Sequence, residues 1–247
     1  MELQEKMKFY RSLNWMNHDY SKYEIIEYLG INMAIPEQVY SPHDDTDLIS
    51  EFILEWINKY EIPKGNLSLK PIRVLEIGYG PGTISLLIIS QFLKKKVNFF
   101  HAGTEINPLA VETANYNAIL NKLDDKVHFL EGNLFEPLNT DELGTPYDLI
   151  LFNPPYLQSE PDIINDTNRK LIDLAWDGGP TGNEVLLEFL NNLSKFLNKN
   201  GEIFFITSSL VNQETIQQTL KIQEFKILEQ KSNHIFFEDI ILYHCKK

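Results

Sequence analysis

One cysteine, Cys245, stands in the 247 residues, which excludes an internal disulfide and any cysteine-rich zinc site. Long apolar runs are also lacking; the longest are too short and too interrupted to span a bilayer. The opening Met-Glu-Leu-Gln-Glu-Lys has no apolar signal-peptide core, so a cytoplasmic protein is expected. Basic residues are few: 22 Lys and Arg stand against 35 Asp and Glu, a net charge of −13. Duplex-DNA binders usually carry a basic face, because phosphate neutralisation supplies much of their affinity. The lysines here are scattered apart from Lys94-Lys95-Lys96, a run expected at a helix end, where cations suit the dipole. The charge speaks for a protein or small-molecule substrate. What is present is enough for a full core, with 43% hydrophobic residues, and the length allows one α/β domain plus an N-terminal appendage.

The strongest stretch is Ile72 to Ser85, I-R-V-L-E-I-G-Y-G-P-G-T-I-S. Ile72–Ile77 is a short, β-branched apolar run that reads as a buried parallel strand. Gly78, Gly80 and Gly82 follow at alternate positions, and from Thr83 the pattern becomes that of a mostly buried helix. Strand, glycine turn and helix form the first half of a nucleotide-binding βαβ unit. The spacing is G-x-G-x-G, not the dinucleotide fingerprint G-x-G-x-x-G. Glu76 ends the strand, where a carboxylate suits a cationic or amine-bearing ligand and would repel a pyrophosphate. This E-x-G-x-G-x-G pattern resembles motif I of the class I S-adenosylmethionine-dependent methyltransferases.

The rest of the chain fits around that turn. Residues 1–39 are aromatic and irregularly patterned, with a helix expected over Tyr20–Leu29. Val39–Thr46 leads through Pro42 into a helix expected from about Asp47 to Tyr60, with Asp45 or Thr46 as N-cap. His43, Asp44 and Asp45 are contiguous with no further ligand cluster, which argues against a metal site. Ile62–Pro71 reads as a linker. Val97–Thr104 is the next strand and ends at Glu105, placed to accept from both ribose hydroxyls of a nucleoside. Val127–Glu131 is a strand followed by Gly132-Asn133-Leu134-Phe135; in the methyltransferase plan that motif I resembles, this loop holds the adenine, and an Asn amide suits its edge and Leu134 or Phe135 its face.

Tyr147–Phe152 is a further strand, and it delivers Asn153-Pro154-Pro155-Tyr156 to the carboxyl edge of the sheet, where α/β folds place ligands. Two adjacent prolines fix the backbone and remove two donors. Acceptors remain: the Asn153 side-chain oxygen and the Pro154 carbonyl, with Tyr156 offering an aromatic face. Such a site receives a planar –NH₂ and grips both hydrogens. The long segment Leu157–Gly182 adjoins it and reads as a substrate wall. A helix over Asn183–Asn198, a strand over Glu202–Thr207, a helix over Gln213–Leu220 and a hairpin of Phe225–Glu229 with Ile235–Tyr243 complete the pattern.

E-I-G-Y-G-P-G followed by F-N-P-P-Y resembles the HemK group, glutamine methyltransferases that act on translation release factors. V-Y-S-P-H-D-D-T at Val39–Thr46, A-W-D-G-G-P-T-G at Ala175–Gly182 and F-F-E-D at Phe236–Asp239 resemble its archaeal and eukaryotic branch. The resemblance implies a Rossmann-like α/β fold: a seven-stranded, mostly parallel sheet with an antiparallel last strand and helices on both faces. It covers a methyltransferase domain over residues 39–247 and does not account for the N-terminal residues, where a helical extension over residues 1–38, unusual for that branch, is expected. Thr46, Glu76, Gly78, Gly80, Gly82, Glu105, Asn133, Leu134 and Asn153 would contact S-adenosylmethionine. Asn133 departs from the usual Asp. Asn153, Pro154, Pro155 and Tyr156 would form the catalytic set on the glutamine amide of a Gly-Gly-Gln loop. A small zinc-binding activator protein is the partner implied.

Two other readings compete. Enzymes that methylate exocyclic amines of adenine or guanine share the N-P-P-Y loop, but they must also flip the base and hold the backbone, and no basic surface for this is evident. A non-catalytic S-adenosylmethionine-binding scaffold conflicts with the intact Glu76, Glu105 and N-P-P-Y.

Overall fold

The computed structural model of the chain describes residues 18–59, 70–138, 143, 146–160 and 170–247. Two short strands, β1 (Ile26–Tyr28) and β2 (Ile31–Met33), pair as an antiparallel hairpin. Seven more build one sheet: β3 (Ile72–Ile77), β4 (Phe99–Glu105), β5 (His128–Glu131), β6 (Tyr147–Phe152), β7 (Leu197–Ser208), β8 (Lys226–Ile235) and β9 (Glu238–Lys246). Their order is β5-β4-β3-β6-β7-β9-β8. Pairing from β5 through β7 is parallel, and β9 runs antiparallel to both its neighbours. The helices are α1 (Asp44–Lys59), α2 (Thr83–Lys94), α3 (Pro108–Leu120), α4 (Glu184–Asn192) and α5 (Gln213–Ile222).

The central strands are apolar throughout because both faces are covered. Their side chains alternate between two cores. Val74, Leu149, Leu151, Phe204 and Ile206 join Ile49, Ile53, Ile84 and Ile88 of α1 and α2. Leu75, Ile77, Ile150, Phe152, Ile203 and Phe205 join Leu186, Phe189, Ile216 and Leu220 of α4 and α5. The expected mostly parallel sheet with an antiparallel last strand and helices on both faces is therefore present.

Three local expectations change. No helix covers Tyr20–Leu29: a 3₁₀ turn at Tyr20–Lys22 is followed by β1 and β2. Leu29 and Gly30 both have positive φ, 49° and 83°, the backbone of a two-residue hairpin turn. Ile31 and Met33 then alternate with exposed Asn32, and their side chains pack on Leu86, Leu87 and Ala118. The helix expected to reach Asn198 stops at Asn192, and a 3₁₀ turn at Leu193–Lys195 hands the chain to β7, whose Leu197 pairs with Tyr147. Finally, α1 starts at Asp44, earlier than expected. The His43 carbonyl accepts from the Asp47 amide at 2.9 Å, so Asp45 and Thr46 lie inside the first turn and neither is the N-cap. Most of the expected linker, and residues 161–169 of the Leu157–Gly182 segment, lie outside the described residues.

Candidate active site

The carboxyl ends of β3, β4, β5 and β6 open into one cavity of about 320 Å³, within the range of small-molecule sites. Of the residues singled out from sequence, Thr46, Glu76, Gly78, Gly80, Glu105, Asn133, Leu134, Asn153 and Pro155 line it. Gly82 closes the glycine turn behind it as the residue before α2. Pro154 is buried and Tyr156 half-buried. Neither lines the cavity; Tyr156 packs against the core under α1. Leu171, Leu174, Ala175 and Asp177 of the Leu157–Gly182 segment form part of the wall.

The glycine turn is shaped by need. Gly78 has φ +63°, and a Cβ there would lie 3.2 Å from the Phe152 ring. Both the conformation and the close approach demand glycine. Gly80 has φ +53° and open space around it, so its backbone is bare toward the cavity. Its amide donates to Glu105 Oε2 at 2.9 Å, and the Asn107 amide donates to Glu105 Oε1 at 2.8 Å. Burial raises the Glu105 carboxyl above its ordinary range, against the lowering effect of these amides.

Glu76 is buried beside them and accepts from Ser85 Oγ. Burial pushes its carboxyl up to about 8, with the charge of Glu105 adding to the effect. Among the described residues no cationic side chain opposes that shift. Leu134 holds the loop after β5 in a left-handed conformation, φ +44°, and its side chain is buried at the cavity. Strain of this kind in a non-glycine residue marks a loop whose shape is imposed by its surroundings.

Asn153 is held by a residue that sequence reasoning weighed only as a cap or a metal ligand. Its Nδ2 donates to Asp45 Oδ2 at 3.0 Å, and the Tyr40 hydroxyl donates to both oxygens of the same carboxylate at 3.2 and 3.1 Å. A carboxylate only accepts, so the amide nitrogen must face Asp45. The Asn153 oxygen is thereby turned the other way. It is buried and has no hydrogen-bond partner among the described residues. A buried acceptor left unpaired costs about 1–3 kcal/mol, a cost tolerated where a ligand donor completes it. Asp45 is 108 residues from Asn153 in sequence, so no local spacing signals the pair.

The loop after β6 is clamped from the other side. The Leu157 amide donates to the Trp176 carbonyl at 2.9 Å, and the Gly178 amide to the Leu157 carbonyl at 2.8 Å. A Cβ on Gly178 would sit 2.7 Å from the Pro155 carbonyl oxygen, which accounts for a glycine in the Trp176–Gly182 motif.

Residues 31–177 match the methyltransferase small domain family. A Methanocaldococcus jannaschii protein, provisionally named a protein N5-glutamine methyltransferase, is 33% identical over 90% of this chain and 98% of its own. The release factor glutamine methyltransferase of Rhodopirellula baltica is 29% identical over 84% of this chain and 68% of its own. Among solved structures, the E. cuniculi Mtq2–Trm112 complex, responsible for methylation of the eRF1 translation termination factor, has the same fold. Its TM-score is 0.52 at 19% identity, covering 85% of this chain and 99% of that one. The chain belongs to the methyltransferase small domain family and is a methyltransferase.

Proposed function

We propose that this methyltransferase uses S-adenosylmethionine and methylates a glutamine side-chain amide in the Gly-Gly-Gln loop of a translation release factor. The observation that carries the reading is the buried Oδ1 of Asn153, which has no partner among the described residues, an acceptor at the start of a loop that offers no competing proline N–H. The named activities of the M. jannaschii and R. baltica relatives support the acceptor class. A partner chain, as in the E. cuniculi complex, belongs to the same reading. The catalytic unit is residues 39–247. Residues 1–38 are an appendage, with Ile31 and Met33 of its hairpin packed on α2 and α3.

The residues fit the cofactor. Glu76 is a buried carboxylate that gains a counter-charge from a cationic ligand. Glu105 retains lone pairs for two hydroxyls beyond those used on Gly80 and Asn107. Gly78 and Gly80 bring bare backbone alongside, and Thr46 closes the rim. Asn133 takes the adenine edge and Leu134 its face. When bound, S-adenosylmethionine supplies an electrophilic methyl on a positively charged sulfur.

The protein's own work is on the acceptor. An amide nitrogen is a poor nucleophile because its lone pair is delocalised. Asn153 Oδ1 accepts one of its hydrogens, raises density on nitrogen and aims it; the Pro154 carbonyl expected to take the other belongs to a buried residue outside the cavity lining. Asp45 and Tyr40 hold Asn153 in the one orientation that does this. Most of the rate comes from positioning and electrostatics. His43 is exposed, and His101 is buried with its imidazole pushed down to about 3. Neither is placed as a base, and the amide proton leaves to water.

The raised carboxyl of Glu76 gives a pH signature. Below about pH 8 the free protein holds a proton there, and a cationic ligand favours the ionised form. Cofactor binding therefore expels a proton, and affinity rises with pH toward 8. Calorimetry at pH 7 in buffers of different ionisation enthalpy should count close to one proton released, and none in Glu76→Gln. The same group makes the ligand-free fold lose stability as pH rises from about 4.5 to about 8, because the native state holds a proton that the unfolded state releases.

The acceptor is tested by radiolabelled methyl transfer to a release factor, to its Gln→Ala mutant in the Gly-Gly-Gln loop, and to bulk nucleic acid. Label on the wild-type factor and not the mutant is the expected result. Label on nucleic acid alone would overturn the reading in favour of an exocyclic amine.

A further inference from the structure

The tip of the last hairpin carries two phenylalanines in a two-residue turn. Ile235 pairs with Glu238, which leaves Phe236 and Phe237 as the loop, 91% and 78% exposed. Such turns ordinarily take Gly, Asn or Asp. Phe236 adopts φ +53°, a left-handed conformation that bulky residues rarely accept. Scattered exposed apolar residues are ordinary. Two adjacent aromatic rings at a strained tip work against both turn formation and solubility, and call for a compensating use.

Their position supplies one. The Ser208 hydroxyl, at the carboxyl end of β7, donates to Glu238. The Asp239 amide donates to Ser209 Oγ at 2.8 Å, and the Ser209 amide to the Asp239 carbonyl at 2.9 Å. The turn is thus fastened to the sheet edge beside β6, which carries Asn153–Tyr156. Ile235 and Tyr156 pack on the same apolar cluster. The charged groups that raise the Tyr156 phenol are Asp45, Glu238 and Asp44, after burial itself. Two apolar prongs therefore stand beside the acceptor residues, with carboxylates around them.

We infer that the Phe236–Phe237 turn docks the protein that carries the acceptor glutamine. The two rings enter an apolar recess of that protein, and the exposed Asp44 and half-buried Glu238 near Tyr156 face basic residues around it. The inference rests on the glutamine reading above. Nucleic acid is the disfavoured occupant, since exposed rings stack on bases but these carboxylates repel phosphate.

The test is the double variant Phe236→Gly, Phe237→Ser. Glycine suits the positive φ, so the hairpin is retained and the melting midpoint holds or rises. Steady-state kinetics of the whole protein, with its partner chain where activity requires one, compare an intact release factor, a short Gly-Gly-Gln peptide and RNA. For the intact factor, KM should rise about tenfold or more, the effect of losing buried aromatic area, with kcat unchanged. For the peptide both constants should stay as in wild type. An unchanged KM for the factor overturns the docking role, and so does an equal loss on factor and peptide. RNA methylation by the wild type that falls in the variant overturns the occupant. Wild type that methylates the peptide but shows no prong effect leaves the glutamine reading intact. Wild type that methylates no glutamine overturns both.

Discussion

Asn153→Ala is expected to lower kcat for methyl transfer about 10³-fold while changing cofactor affinity by no more than about threefold. The split follows from where the two ends of the amide point. The nitrogen is taken by Asp45 at 3.0 Å. The oxygen is buried and has no partner among the described residues, so its function is realised only when an acceptor –NH₂ arrives. Cofactor affinity rests on Glu76, Glu105 and the bare backbone of the glycine turn, none of which hydrogen-bonds Asn153 in the structure. Single-turnover rates and calorimetric titration measure the two quantities separately. A purely structural tie between α1 and β6 would give a different result: a lower melting midpoint, weaker cofactor binding and a surviving rate.

Asp45→Asn is the second large effect. It keeps the size of the side chain and changes only what it can donate. An asparagine at 45 can present either end of its amide, so it no longer dictates which end of Asn153 faces the acceptor. A misoriented positioning group costs about 10²-fold in rate. We expect kcat to fall by about that factor, with the fold retained, since the substitution keeps the size of the side chain and an acceptor oxygen for the Thr46 amide. Tyr40→Phe removes one of the donors to the same carboxylate and should show a weaker version of the same loss. Rates that stay within about twofold of wild type in Asp45→Asn would mean that Asn153 is oriented by something else.

The parts of the site that were legible in the sequence are those written in contiguous residues. Gly78, Gly80 and Gly82 announce a backbone conformation, and Glu76 and Glu105 end strands whose apolar runs are unmistakable. Asn153–Tyr156 follow a buried strand directly. All of these report local constraints: positive φ, missing N–H groups and the reach of a strand end. Asp45 was misread because its role depends on a partner 108 residues away, while its neighbours Asp44 and Asp47 make it look like one more acid favouring a helix start. The hairpin at β1 and β2 was misread for a related reason. Six aromatic residues in irregular spacing obscured the short alternation Ile31-Asn32-Met33, and only the surface offered by Leu86, Leu87 and Ala118 selects the strand. The early end of α4 is likewise a tertiary choice, made when Leu197 pairs with Tyr147. The Phe236–Phe237 turn was visible as a motif, but its exposure and its place beside Tyr156 exist only in the fold.

The most direct measurement is fragmentation mass spectrometry of a release factor after incubation with the protein and S-adenosylmethionine. The account predicts one added methyl, located on the side-chain nitrogen of the glutamine in the Gly-Gly-Gln loop, and absent when Asn153→Ala replaces the wild type. A methyl found on a lysine, on a backbone nitrogen, or on no part of the factor while a nucleobase amine carries it would contradict the account.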